Sequence, residues 1–140
     1  MSRLRAGVIG LGVGEQHIAG YESHPQCEVV AICDIDAEKL AAVGARHPGL
    51  RKVGNPMELL ADPDIDVVSV ASHDDAHFEQ IRVALEHGKH VFAEKPLVLY
   101  EEHARILRAM LRERSQLVLS SNVPLRMSPR FEEVRAKIQA

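Results

Sequence analysis

Six short runs rich in β-branched residues, each separated from the next by a longer polar-apolar segment, restrict this chain to a parallel sheet wrapped by helices. The runs are "LRAGVIG" (4–10), "EVVAIC" (28–33), a weaker "RKVG" (51–54), "DVVSVA" (66–71), "KHVFAE" (89–94) and "QLVLSS" (116–121). Runs such as "DVVSVA" are apolar almost throughout, which suits strands buried on both faces. Between them Phe78, Ile81, Ala84 and Leu85 recur at helical spacing, as do Ala104, Leu107, Met110 and Leu111, so each segment has one face to lay on the sheet. Right-handed crossovers then predict an α/β doubly wound sheet in the order 3-2-1-4-5-6. Asp36 is placed to cap the helix after the second strand, and Ser128-Pro129 to open one near residue 130.

With 140 residues the chain has room for one core. Its 17 basic and 20 acidic residues leave a formal net charge of −3, without the basic surplus that a nucleic-acid binder usually carries. No apolar run approaches the roughly 20 residues that cross a bilayer, and "MSRLRAGVIG" lacks the pattern of a signal peptide, so a soluble cytoplasmic protein with no membrane or nucleic-acid partner is expected. Cys27 and Cys33 fit neither a CxxC redox pair nor a zinc site; both are expected reduced, with Cys33 in the core.

The first run leads directly into "GLGVGEQH". A glycine turn between a strand and a helix is the context in which such a motif binds phosphate. Gly10 permits the tight turn, Gly12 lets the backbone approach a pyrophosphate, and the helix N-terminus attracts it. Gly10, Leu11, Gly12, Val13 and Gly14 are the candidate cradle. The third glycine of G-x-G-x-x-G belongs at residue 15, which is Glu15; Gly14 stands one place early. An outward Glu15 is harmless, whereas an inward one opposes phosphate binding. The glycines alone could also be a tight connection and nothing more. Asp34 shifts the balance, because it ends the second strand about 20 residues beyond the turn, where dinucleotide folds hold the adenosine ribose. Ile35 follows it in place of the small polar or basic residue of a 2′-phosphate site, which favours NAD over NADP. "GLGVG" also reads as the glycine turn of S-adenosylmethionine methyltransferases. Those enzymes commonly have an acidic residue where this chain has Val8, and a C-terminal β-hairpin that is not evident here.

"ALEHGKHVFAEKPL" (84–97), taken with "GLGVGEQH" and "VVAICDID", resembles the Gfo/Idh/MocA family of nicotinamide-dependent oxidoreductases along essentially the whole chain. The resemblance implies an N-terminal Rossmann domain over residues 1–122, with residues 123–140 leading toward a second domain that bears most substrate contacts and the oligomer interface. It implies that Gly10 and Gly12 hold the pyrophosphate, Asp34 the ribose, and that Glu94, Lys95 and Pro96 are the signature tripeptide. Lys95 is then the catalytic residue, reaching the nicotinamide ribose and the substrate oxygen. A lysine at the carboxyl end of a central strand, beside a cationic nicotinamide, can have its charge disfavoured and so pass a proton. Without the neighbouring motif, Lys95 would read as a solvated strand-end residue. The Lys95-Pro96 bond is open to either isomer.

Further along the resemblance, "VASHDDAH" (70–77) is the loop after the fourth strand, with His73 where proline is common. Ser72 and His77 are candidate cofactor contacts there, and Asn122 aligns with an asparagine near the nicotinamide, although a turn residue explains it equally well. His73 and His77 with Asp74 and Asp75 could suggest a metal site, but the acidic pair is better read as caps of the next helix, and no metal is expected. Tyr21 is expected to pack, and His24, His47, His87, His90 and His103 to lie at the surface. The implied activity is hydride transfer between nicotinamide and a hydroxyl-bearing carbon of a sugar or polyol, with little turnover by this chain alone. A non-enzymatic nucleotide-binding module is the alternative from a different class, and a methyltransferase a third.

Overall fold

The computed structural model describes residues 3–139. The chain runs β1 (Leu4–Ile9), α1 (Gly14–Glu22), β2 (Cys27–Cys33), α2 (Ala37–Arg46), β3 (Arg51–Val53), α3 (Pro56–Ala61), β4 (Val67–Val70), α4 (His77–Glu86), β5 (His90–Ala93), α5 (Glu101–Glu113), β6 (Leu119–Ser121) and α6 (Pro129–Gln139). All five strand pairings are parallel and the sheet order is β3-β2-β1-β4-β5-β6, as the alternation of runs predicts.

Strand alternation divides the core in two. Val8 and Ile32 join Ile18, Val43, Leu40 and Tyr21 beneath α1 and α2. Their neighbours Ile9, Ala31 and Cys33 point the other way and join Leu59, Leu60, Ile81, Leu85 and Leu107 from α3, α4 and α5. The strands are therefore apolar on both faces because both faces are covered. The pairing region of the sixth run is shorter than its sequence suggests: only Leu119–Ser121 is strand, and Val118 is exposed at the sheet edge. Ala104, read as part of an apolar stripe, is exposed, and α5 packs through Leu107 with Met110 and Leu111 behind it.

Capping follows local chemistry. The Asp36 carboxylate accepts the N–H groups of Glu38 and Lys39, and Ser128 precedes Pro129 at the start of α6. The helix α3, which no run marks, starts at Pro56 behind an Asn55 side chain that accepts the Met57 N–H. Asp74 and Asp75 do not cap α4. They form a 3₁₀ turn with Ala76, and α4 begins at His77 with no side-chain cap, because the turn itself supplies the preceding carbonyls. The Lys89 side chain is buried and its ammonium donates to the carbonyls of Ile65, at 2.9 Å, and Asp62. It thereby satisfies main-chain acceptors beyond the end of α3. No described helix is long and apolar enough to cross a membrane. Helix α6 has no buried residue and follows a short 3₁₀ turn, Pro124–Met127.

Candidate functional site

Because every strand is parallel, all carboxyl ends lie along one edge, and register fixes which residues meet there. Ile9 pairs with Cys33 on one side and Val70 on the other, Val70 with Ala93, and Ala93 with Ser121. The next residue of each strand, Gly10, Asp34, Ala71, Glu94 and Asn122, therefore forms a row just past the sheet. Every strand-end candidate in that row was read from the sequence except Ala71, which shapes the glycine turn.

The turn's glycines have three separate tasks. Gly10 adopts φ +85°, and a Cβ there would lie 2.3 Å from the Ala71 carbonyl oxygen. Its N–H donates to the Cys33 carbonyl at 2.8 Å. A Cβ at Gly12 would meet nothing within 4 Å, which leaves the backbone open to a ligand. At the buried Gly14 a Cβ would lie 3.0 Å from the Ala71 Cβ and 3.2 Å from Val8 Cγ1. Gly14 thus does the helix-on-strand packing assigned to the third glycine of the usual spacing. Glu15 is free to turn away: its carboxylate takes two bonds from Arg46, at 2.7 and 2.8 Å, with His47 at 3.7 Å. The Arg46 bonds hold it below the ordinary carboxylate range, and it takes no part in lining the cleft. Val13 is exposed at the turn, whereas Leu11 is buried, so its contribution is through the main chain.

Asp34 is only 7% exposed. One carboxylate oxygen accepts the Leu11 N–H at 2.8 Å and the other the Asp36 N–H at 2.9 Å. Burial opposes its ionisation, but these bonds and the Lys39 ammonium, 3.5 Å away, outweigh it and hold the carboxyl below its usual range. Ile35 is exposed beside it. These residues, with Ser72 and Gln80, line a cleft of about 580 Å³.

The fourth-strand loop departs from expectation in one respect. Ser72 does line the cleft, its hydroxyl donating to Gln80 Oε1 at 2.7 Å. His77 does not: it is completely buried, with Nδ1 2.8 Å from the Pro96 carbonyl oxygen and Nε2 3.1 Å from that of Ser72. The reason is its place on the inner stripe of α4 with Ile81, Ala84 and Leu85, so it ties two site loops together from behind. His73 is exposed at the cleft.

At the fifth strand, Lys95 is exposed and the Lys95-Pro96 bond is cis. Lys95 and Pro96 lie outside the enclosed part of the cleft. The Glu94 side chain turns inward. Its Oε1 accepts the Asn122 amide at 2.7 Å and faces His17 Nε2 at 3.0 Å, and its Oε2 accepts the Lys95 N–H at 3.2 Å. Burial works against the charge on Glu94, yet the Asn122, Lys95 and His17 bonds keep it below the normal carboxylate range. Asn122 is therefore a partner of Glu94 rather than a turn residue alone. Tyr21 packs as expected, and burial pushes its hydroxyl up. Of the histidines read as surface groups, His24 and His87 are exposed, His47 meets Glu15, His90 Nδ1 accepts the Val118 N–H, and His103 stacks on Phe78 at 3.7 Å.

His17, Gln80 and Lys39 are the site residues that sequence reasoning missed. A dinucleotide fits what is present: an open backbone approach at Gly12, a carboxylate oriented by two backbone bonds at Asp34, and a helix N-terminus between them.

The family model described as "Oxidoreductase family, NAD-binding Rossmann fold" (GFO_IDH_MocA) matches residues 4–122. Inositol 2-dehydrogenase of Rhodococcus jostii is 40% identical over 67% of this chain and 26% of its own length. Inositol 2-dehydrogenase of Mycolicibacterium smegmatis is 30% identical over 100% of this chain and 41% of its own. Among solved structures, the 3-ketoreductase KijD10 of Actinomadura kijaniata, in complex with NADP and TDP-benzene, superposes with a TM-score of 0.84 at 32% identity, covering 99% of this chain and 42% of that one. The chain thus spans less than half the length of these relatives, and the methyltransferase reading of "GLGVG" gives way to a match that includes the glycine turn, Asp34 and the Glu-Lys-Pro turn. This chain belongs to the Gfo/Idh/MocA oxidoreductase family, of which it carries the NAD-binding Rossmann domain.

Proposed function

We propose that this domain holds a nicotinamide dinucleotide, NAD in preference to NADP, along the carboxyl edge of its sheet, in an oxidoreductase acting on a sugar or polyol. The observation that carries the reading is the row of strand-end residues: an open glycine backbone, an oriented carboxylate and the Glu-Lys-Pro turn share one edge of the sheet, past β1, its neighbour β2, and β5 beyond β4. A bound cofactor supplies the hydride acceptor or donor. The Gly12 backbone and the start of α1 receive its phosphates, and Asp34 accepts hydrogen bonds from ribose hydroxyls. Lys95 exchanges the proton of the substrate hydroxyl. The inositol dehydrogenase relatives support a polyol, and residues 123–140 are read as the lead toward the substrate-bearing part.

Titration of the chain with NADH, NADPH and S-adenosylmethionine tests the reading, with Asp34→Ala alongside and circular dichroism to verify folding. NADH is expected to bind tightest, and the substitution to weaken it about tenfold or more, the worth of one bond to a charged group. Tighter binding of S-adenosylmethionine, or dinucleotide binding indifferent to Asp34, refutes it.

A further inference from the structure

The least explained polar group in the fold is His17. It closes the first turn of α1, with its side chain 11% exposed, on the sheet-facing stripe formed by Gly14, Ile18 and Tyr21. Its Nδ1 lies 2.7 Å from the hydroxyl of Ser69, a completely buried residue of β4. Its Nε2 lies 3.0 Å from Glu94 Oε1, and the ring meets Phe92 edge-on at 5.3 Å. An ionised carboxylate only accepts, so Nε2 carries a proton toward Glu94; in the neutral ring Ser69 then donates to Nδ1. Asn122 occupies the same Glu94 oxygen from just past β6, and the other oxygen accepts the Lys95 N–H.

The consequence lies in where this chain of bonds ends. An apolar side chain of similar volume would fill the space between α1 and the sheet without the cost of burying polar atoms. The network instead connects the helix that opens at the glycine turn to the main chain of the Glu-Lys-Pro turn, and both Glu94 oxygens are already engaged. The Lys95 side chain is exposed, so its direction is set from its own backbone, which Glu94 holds. We infer that His17 is a positioning residue for Lys95, acting through Glu94 and coupling the phosphate-binding helix to the nicotinamide end of the site. The inference rests on the dinucleotide reading above.

The test compares two ligands that share the phosphate and adenosine ends, only one of which carries the nicotinamide and its ribose: NADH and ADP. The wild-type chain, His17→Leu, His17→Gln, Lys95→Ala and the His17→Leu/Lys95→Ala double variant are titrated with each, and thermal melts verify folding. In the wild type NADH binds more tightly than ADP, and Lys95→Ala removes most of that excess. His17→Leu is expected to keep ADP affinity within about twofold while losing about five- to tenfold for NADH, in the range of one charge-assisted contact. His17→Gln, whose amide can still donate to Glu94, recovers most of the loss, and the double variant is no worse than Lys95→Ala. A merely structural role would weaken both ligands together and would not merge with the Lys95 effect. Equal losses for both ligands, no loss for NADH in a folded His17→Leu, or additive losses in the double variant overturn the inference while leaving dinucleotide binding intact. Failure of the wild type to bind either ligand overturns the underlying reading, and the inference with it.

Discussion

Gly10 and Gly12 stand two residues apart in one turn, yet the structure predicts opposite phenotypes for them. Gly12 has no unusual φ, and an added Cβ meets nothing within 4 Å. Gly12→Val should therefore change folding stability by no more than about 0.5 kcal/mol, as for other open surface positions. At about 4 °C per kcal/mol for a domain of this size, the melting temperature stays within roughly 2 °C. The two added methyl groups would occupy the open face of the turn, where the proposed function places a pyrophosphate against backbone N–H groups. Two charge-assisted bonds at about 1.5–3 kcal/mol each set the loss at about 3 kcal/mol or more, which is a factor of at least about 100 in NADH affinity. Gly10→Ala reverses the pattern. A left-handed conformation costs an L-residue about 1–2 kcal/mol. The Cβ would also sit 2.3 Å from the Ala71 oxygen and 2.6 Å from the Ser72 nitrogen, so backbone must move. Overpacking of that kind costs about 1–3 kcal/mol. The sum, about 2–5 kcal/mol, lowers the melting point by roughly 8–20 °C. Thermal unfolding by circular dichroism and NADH fluorescence titration read both quantities. If Gly12→Val binds NADH within about threefold of wild type, or melts as low as Gly10→Ala, the division of labour between the two glycines is wrong.

Two further predictions follow from the titrating groups. Glu94 is held below the ordinary carboxylate range in the folded state, so its contribution to stability is present above about pH 4.5 and is lost as pH falls through its folded value. Glu94→Gln should thus flatten the fall in melting temperature below about pH 4.5, leaving a residual slope from Asp34 and Asp66; a fall as steep as the wild type's would contradict the assignment. Burial pushes the Cys33 thiol up to about 12, with Asp34 and Glu58 adding to it, whereas Cys27 is only partly buried. A thiol reagent at neutral pH should modify Cys27 in the native state and Cys33 only on unfolding, and fast modification of both would show that Cys33 is accessible.

The parallel, doubly covered sheet was legible in the sequence because such strands must be apolar on both faces, and a run such as 66–71 carries that demand without any long-range information; right-handed crossovers then give the order. Edges were less legible. The sixth run has the composition of a strand from Gln116, but only three of its residues have a neighbour in register, and an unpaired edge places no demand on sequence. The glycine turn is visible in the sequence as a motif, while the packing of Gly14 is not. Spacing counted from Gly10 points to residue 15, but α1 starts at Gly14, and that first residue is the one pressed against Ala71 and Val8.

The residues that spacing passed over share a physical signature. His17 falls with Gly14, Ile18 and Tyr21 on an i, i+3, i+4, i+7 stripe, and Gln80 and His77 fall on the stripe of Ile81, Ala84 and Leu85. A polar side chain on the inner stripe of a sheet-packed helix must find a partner there, because leaving it unpaired costs more than an apolar residue would. Its presence announces a polar atom on the facing strand or loop without saying which. For His17 the partner lies 77 positions away at Glu94, and for His77 one partner lies 19 away at Pro96; no local period carries either distance. Once the parallel order places the carboxyl ends of β1, β4, β5 and β6 in one row, the polar groups that meet His17 are Ser69 and Glu94, with Asn122 on the same Glu94 oxygen. Topology and the polar exceptions on apolar stripes together therefore narrow the site further than motif spacing does alone, and the stripe of α1 points to the same turn as the Glu-Lys-Pro tripeptide.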